Sequence, residues 1–213
     1  MKHFLNQELM APNVLKVAVD AVLIQQRLAG LIGHYDPAKF AISRPSWDSD
    51  IRWISARSVE AFNEFQSLFD SLGIARLIGP YLDLDHVVRL YSGFLVERSC
   101  CEKPNFHFDW SGTNNEAFTL LTPVTGNSAG FGMLYRKLDG SVGEYDYKLG
   151  EALIIGDHFS HSTMPGRSAE PVILLSFTFG TDKMSHWGKI AKTAAHQGGL
   201  VQLPNGTFQE AEC

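Results

Sequence analysis

His86-Val87-Val88-Arg89-Leu90-Tyr91 is β-branched and aromatic, the composition of a strand, because such side chains fit a pleated, half-buried surface. Similar short runs follow at Ala117–Val124, Phe131–Leu138, Val142–Leu149, Glu151–Ile155 and Val172–Phe179. Turn-forming pairs such as Gly126-Asn127, Asp139-Gly140 and Pro165-Gly166 stand between them. Many short strands at that spacing predict a β-barrel or jelly roll over residues 86–180.

Upstream of this region the apolar period is helical. Val14, Leu15, Ala18, Val22 and Leu28 follow Pro12-Asn13 and predict a helix from Val14 to Leu31, closed by Gly33. Ser58 is placed to cap a second helix, ended by Gly73, whose Phe62, Phe65, Phe69 and Leu72 lie along one face. Beyond the strands, Thr181 to Gln197 predicts a terminal helix packed on the barrel. The expected organisation is a single domain over 1–213. Residues 1–85 would be a helical support, 86–180 a β core and 181–213 a tail. The fold class is mainly β with N-terminal helices.

Composition restricts the partners. A chain of 213 residues, 45% hydrophobic and 19% charged, is sized for one packed core. The net charge is −5 and no block of basic residues stands out, which argues against nucleic acid, whose binding needs clustered Lys and Arg against phosphates. No stretch approaches the roughly 18 apolar residues of a spanning helix, and Met1–Asn13 has no sustained apolar segment of the secretory kind. Membrane attachment is therefore not expected. Cys100, Cys101 and Cys213 form neither an even disulfide framework nor a CxxC metal pair; reduced thiols and a cytoplasmic location are expected.

The chemistry centres on Phe106-His107-Phe108-Asp109-Trp110. In an extended chain alternate side chains share a side, so His107 and Asp109 point together and Phe108 away. An imidazole and a carboxylate side by side offer two adjacent coordination positions. A third ligand would come from Gly156-Asp157-His158-Phe159-Ser160-His161, just before the last long strand. Two histidines and one carboxylate on one face of a metal leave positions open, the facial triad of non-haem iron(II) oxygenases; a structural zinc site is closed and richer in sulfur. Phe106, Phe108, Trp110, Phe118, Phe131 and Tyr135 are suited to line a dry pocket, and equally to form core. Thr113, Asn114 and Asn115 are either substrate contacts or ordinary polar turn residues.

The order of helices, HxD triplet, strands, distal His and final strand resembles the iron(II)/2-oxoglutarate-dependent dioxygenases, over roughly Val87 to Gly180. The run Gly156-Asp157-x-x-x-His161, with Ser162 and Pro165 after it, is similar to the distal-histidine segment of phytanoyl-CoA-type and prolyl-hydroxylase-type members. The resemblance implies a double-stranded β-helix (a jelly-roll, cupin-like barrel) holding Fe(II) on His107, Asp109 and His161, with His158 as the alternative distal ligand. It implies 2-oxoglutarate and molecular oxygen as cosubstrates and oxidation of an unactivated C–H bond, by hydroxylation, desaturation or ring formation, in a small-molecule substrate. Asp109 stands where halogenating members carry a small residue.

The family also places an Arg or Lys near the start of the last strand to pair with the far carboxylate of 2-oxoglutarate. This chain has Glu170, Pro171 and Val172 there. Arg167, Arg98 and Arg136 are the candidates in its stead. The departure keeps two alternatives open: a cupin-like metal enzyme that does not use 2-oxoglutarate, although cupins carry an HxH pair and a Glu that are missing here, and a non-catalytic ligand-binding barrel.

Overall fold

The computed structural model describes residues 4–45, 48, 50–126 and 131–210, with the side chains of 195–197 excepted. Trp47, Asn127, Cys213 and the side chain of His196 lie outside the described residues. The strands are β1 (Leu5–Asn6), β2 (Ala11–Pro12), β3 (Val14–Ala18), β4 (Phe40–Ser43), β5 (Ile51–Ala56), β6 (Arg89–Cys101), β7 (Ala117–Pro123), β8 (Met133–Arg136), β9 (Val142–Tyr145), β10 (Glu151–Ile155), β11 (His161–Thr163), β12 (Gly166–Gly180), β13 (Leu200–Gln202) and β14 (Phe208–Glu210). The helices are α1 (Ala21–Leu28), α2 (Val59–Ser71), α3 (Ile74–Ile78) and α4 (Trp187–Gln197). None of the described helices is long and apolar enough to cross a membrane.

Seven strands form one antiparallel sheet in the order β3-β10-β7-β12-β6-β5-β4, and three form a second, β11-β8-β9. The mainly β, double-stranded β-helix architecture is therefore observed. Its spine is the pairing of β6 with β12, whose register runs from Gly166↔Cys101 to Gly180↔Arg89 with irregularities between Arg167 and Val172 and between Thr178 and Phe179. Both strands exceed the predicted runs, which saw only their most β-branched portions. Residues 86–88 stay outside β6 because the Asp182 carboxylate takes the backbone N–H groups of Asp85, His86 and Val87 at 2.8, 2.7 and 2.9 Å.

The helix expected from Val14 to Leu31 is two elements. Val14–Ala18 is a strand on the free edge of β10, in register Ile155↔Val14 through Glu151↔Ala18. The helix begins only at Ala21, where the Asp20 side chain accepts from Leu23 N at 2.9 Å. Val14, Val17 and Val19 carry β-branched side chains that suit either period, and β10's open ladder decides. The 1–85 region likewise contributes β4 and β5 at the opposite edge, against β6, so it builds sheet as well as covering it.

The second helix is as expected. Ser58 accepts from Ala61 N at 3.2 Å, and α2 buries Ala61, Phe62, Phe65, Leu68 and Phe69 against the large sheet. Each large apolar side chain so buried contributes about 1.5–3 kcal/mol. The approach is close at Gly93 of β6, where a Cβ would meet Phe65 at 2.6 Å. At the chain's other end the expected helix over Thr181–Gln197 begins at Trp187, after a short 3-10 turn at Met184–His186.

Candidate active site

The two sheets face each other across a cavity of about 560 Å³. Strand alternation determines what the large sheet offers it. Phe94, Val96 and Arg98 on β6 share a face, and their cross-strand partners on β12 are Ser176, Leu174 and Val172. Five of these six line the cavity, and Val172 is buried in contact with Leu174 and Cys101 beside it.

His107, Asp109 and His161 meet at the same cavity, with their ligand atoms within 4.8 Å of one another. The link is a single antiparallel bridge: His107 N donates to His161 O at 2.9 Å and His161 N to His107 O at 3.0 Å. The HxD triplet and the distal histidine are thus tied by backbone. Each imidazole then uses Nδ1 locally, His107 with Asn105 O at 2.9 Å and His161 with Phe159 O at 3.1 Å. A proton on Nδ1 leaves each Nε2 as the donor to a metal. Those Nε2 atoms stand 3.6 and 3.7 Å from one Asp109 oxygen, beyond an ordinary hydrogen bond and within the span of three donors each about 2 Å from a shared ion. The donor set therefore fits a divalent transition metal.

Charge follows the same geometry. Burial pushes the Asp109 carboxyl upward, but His161, His107 and the Thr119 hydroxyl outweigh it and bring the pKa to about 2. Asp109 is a carboxylate throughout the useful pH range. His161 is pulled below its ordinary value by burial, against the attraction of Asp109, which favours the neutral imidazole that a metal would need. For His107, burial acts downward but the nearby Asp109 carboxylate and the Asn105 carbonyl prevail, and the net shift is upward.

A buried polar network holds the two ligand segments together. Asp157 accepts from Thr113 N at 3.2 Å, Thr113 Oγ1 at 2.5 Å and Asn114 N at 2.8 Å. Asp157 N donates to Asn115 Oδ1 at 2.8 Å, and Asn13 Nδ2 donates to Asp157 O at 2.6 Å. Thr113, Asn114 and Asn115 thus serve the turn that precedes His161 and are not among the residues lining the cavity. His158 sits in that turn at φ 59°, exposed, its ring edge-on to Phe108 at 5.6 Å; it lies outside the triad. Of the aromatics suited to a pocket, Phe108 lines the cavity. Trp110, Phe118, Phe131 and Tyr135 are buried in the core, and Phe106 lies under the Arg136 guanidinium.

The three arginines separate clearly. Arg167 is on the surface, 75% exposed and paired with Glu102 at 3.2 Å. Arg136 is also exposed, over the Phe106 ring at 4.6 Å. Neither lines the cavity. Arg98 does, with its side chain only 10% exposed. Its Nε donates to Cys100 O at 2.7 Å, one terminal nitrogen to Thr163 Oγ1 at 2.8 Å and the other to the Asp48 carboxylate. Thr163 lies two residues beyond His161 on β11, so the guanidinium is held about 7 Å along the strand from the distal histidine. Sequence reading missed Asp48, Thr163 and Ser176 as site residues, and no local signal marks them.

No protein-family model and no curated protein matches the chain. Solved structures do. The non-haem α-ketoglutarate-dependent epimerase SnoN from nogalamycin biosynthesis superposes with a TM-score of 0.62 at 12% identity, covering 80% of this chain and 79% of that one. HygX from Streptomyces hygroscopicus, with nickel and 2-oxoglutarate bound, gives 0.59 at 13% identity over 84% and 88%. A Pseudomonas putida prolyl-4-hydroxylase gives 0.55 at 14% identity over 79% and 92%.

The chain has the fold of the 2-oxoglutarate–iron(II) oxygenases. Within that fold the cavity between the two sheets is lined by His107, Asp109, His161 and Arg98.

Proposed function

We propose that the chain is an iron(II)- and 2-oxoglutarate-dependent oxygenase acting on a C–H bond of a small molecule. The observation that carries this reading is the convergence of His107, Asp109 and His161 on a cavity that also receives a buried, pre-positioned guanidinium. His107, Asp109 and His161 would hold the metal, and Arg98 would anchor the far carboxylate of 2-oxoglutarate.

Iron(II) bound there would supply, with 2-oxoglutarate as co-reductant, the oxygen chemistry that an unactivated C–H bond demands. The rest is the work of the chain. The carbonyls of Asn105 and Phe159 fix the imidazoles with Nε2 towards the ion. Thr193 Oγ1 donates to Asp109 O at 2.7 Å and fixes the segment that carries the carboxylate. Arg98 has three of its five N–H groups engaged by Cys100, Thr163 and Asp48, which orients the fork and leaves donors for an incoming carboxylate. Ser176 Oγ is buried on the cavity wall with no hydrogen-bond partner among the described residues. An orphan hydroxyl of that kind fits a polar ligand group beside it. Apolar walls from Phe94, Val96, Leu121 and Leu174 exclude water.

Anaerobic titration of the iron(II)-loaded protein with 2-oxoglutarate tests the reading. A visible metal-to-ligand charge-transfer band saturating at one equivalent is the expected result. Iron binding without a band would favour a metal enzyme that does not use 2-oxoglutarate, and no iron binding would remove the oxygenase reading altogether.

A further inference from the structure

The charges around the cavity are not balanced. Its described lining carries four cationic side chains, Arg98, Lys103, Lys189 and Lys192, and two acids, Asp48 and Asp109. Asp48 is joined to Arg98 and Asp109 belongs to the triad. Lys103, Lys189 and Lys192 have no ion-pair partner among the described residues. Three unpaired lysines around one cavity, in a chain of net charge −5, are a local reversal of sign that concentrates anions there.

The helix that carries Lys189 and Lys192 is held in place. α4 buries Ile190 and Ala194 with Tyr91, Trp110 and Val201, and its Thr193 is bonded to the backbone of the metal-ligand segment. Lys189 precedes Thr193 by four residues, on the same face one turn away, and Lys192 is adjacent to it. Both residues therefore stand within about one helical turn of the residue bonded to the segment that carries Asp109. The same cavity has apolar lining from Ile51, Trp53, Val96, Leu121, Met133 and Leu174.

We propose that the organic substrate of this site is an amphiphilic anion, an apolar body bearing a carboxylate, sulfonate or phosphate that Lys189 and Lys192 receive. The inference rests on the oxygenase reading for the word substrate, while the anion site itself does not depend on the metal. The lysines would hold the charged end at α4, and the apolar lining would receive the body beside the triad. Arg98, buried and already paired with Asp48, is left to the cosubstrate.

The probe titrations use the metal-free chain and two fluorescent probes of similar shape, anilinonaphthalene sulfonate and the uncharged N-phenylnaphthylamine, and the charge-transfer readings use the iron(II)-loaded chain. The sulfonate is expected to bind at one equivalent, more weakly as salt is raised. In Lys189→Gln/Lys192→Gln it should bind roughly five- to tenfold more weakly, with Lys189→Arg/Lys192→Arg restoring it and the uncharged probe unchanged throughout. Equal sulfonate binding in wild type and the Gln double variant would overturn the proposal. So would an equal loss of both probes, since that reports a damaged cavity. A weakened 2-oxoglutarate charge-transfer band in the Gln double variant with sulfonate binding intact would assign the lysines to the cosubstrate and also overturn it. A wild-type protein that forms no such band but discriminates the probes keeps the anion site and loses the oxygenase reading.

Discussion

Replacing Arg98 by Ala tests the proposed cosubstrate anchor separately from the proposed metal site. The guanidinium is 10% exposed, so a carboxylate bound to it is little screened by solvent. Each charge-assisted hydrogen bond is worth about 1.5–3 kcal/mol. A two-pronged contact, discounted for the dehydration of both partners, gives about 3–4 kcal/mol, or roughly 10²- to 10³-fold in the Kd for 2-oxoglutarate. Arg98→Lys keeps the charge but not the fork and should lose about tenfold. The assay is the anaerobic charge-transfer titration, with iron affinity measured separately and expected to change little because no triad atom is touched. Arg98→Ala also leaves Asp48 without its cation, so a fall in stability is expected and is followed by denaturant unfolding. Arg167→Ala is the control: its ion pair with Glu102 is solvent-exposed on both sides, and the change should move the 2-oxoglutarate Kd by less than about twofold. Wild-type affinity in Arg98→Ala, or a large loss in Arg167→Ala, would refute the assignment of the anchor.

Three further outcomes follow from the geometry. His161→Ala should abolish stoichiometric iron binding, whereas His158→Asn, suited to the positive φ of that turn, should retain it; equilibrium dialysis against iron(II) decides, and the reverse result would exchange the two roles. Asp157→Asn removes a fully buried carboxylate with three donors around it and should lower stability by about 2–4 kcal/mol by urea unfolding and weaken metal affinity about 10- to 100-fold; stability within about 0.5 kcal/mol of wild type would contradict its positioning role. Asp182 concerns pH: burial raises its pKa, but the N–H groups of Val87, Asp85 and His86 more than reverse this, and the net shift is downward. Its contribution is present above the unfolded value of about 3.9 and is lost as pH falls through the folded one. Asp182→Asn should therefore cost about 1.5–3 kcal/mol at pH 7, with the gap to wild type closing below about pH 4; a gap that persists there would refute the charge-based account.

Much of the site was legible because its signals are local. His107 and Asp109 share one short segment, and a two-residue period puts them on one side before any fold is known. His161 was joined to them by the resemblance of the Gly156-Asp157-x-x-x-His161 run to a family's distal-histidine segment, with His158 as the alternative, and Ser58 and Gly73 bound α2 by capping chemistry that needs no partner. The edge strands were not legible. Val14–Ala18 has a helical spacing and becomes a strand because β10 offers it an open ladder from more than 130 residues away. The anchor was open among three arginines, since nothing in the residues around Arg98, Arg136 or Arg167 says which is buried.

What the sequence determined by itself was the β-rich core, the helix over Val59–Ser71 and the pairing of His107 with Asp109 on one side of an extended segment, all of them properties of contiguous residues. The tertiary structure decided which arginine lines the cavity of the candidate triad, which turn Asp157 pins, and that two lysines on α4 reach that cavity. The physical reason is that burial and charge pairing are set by neighbours distant in the chain: Arg98 by Asp48 and Thr163, Asp157 by Asn13 and Thr113, and α4 by the Thr193 hydroxyl on Asp109.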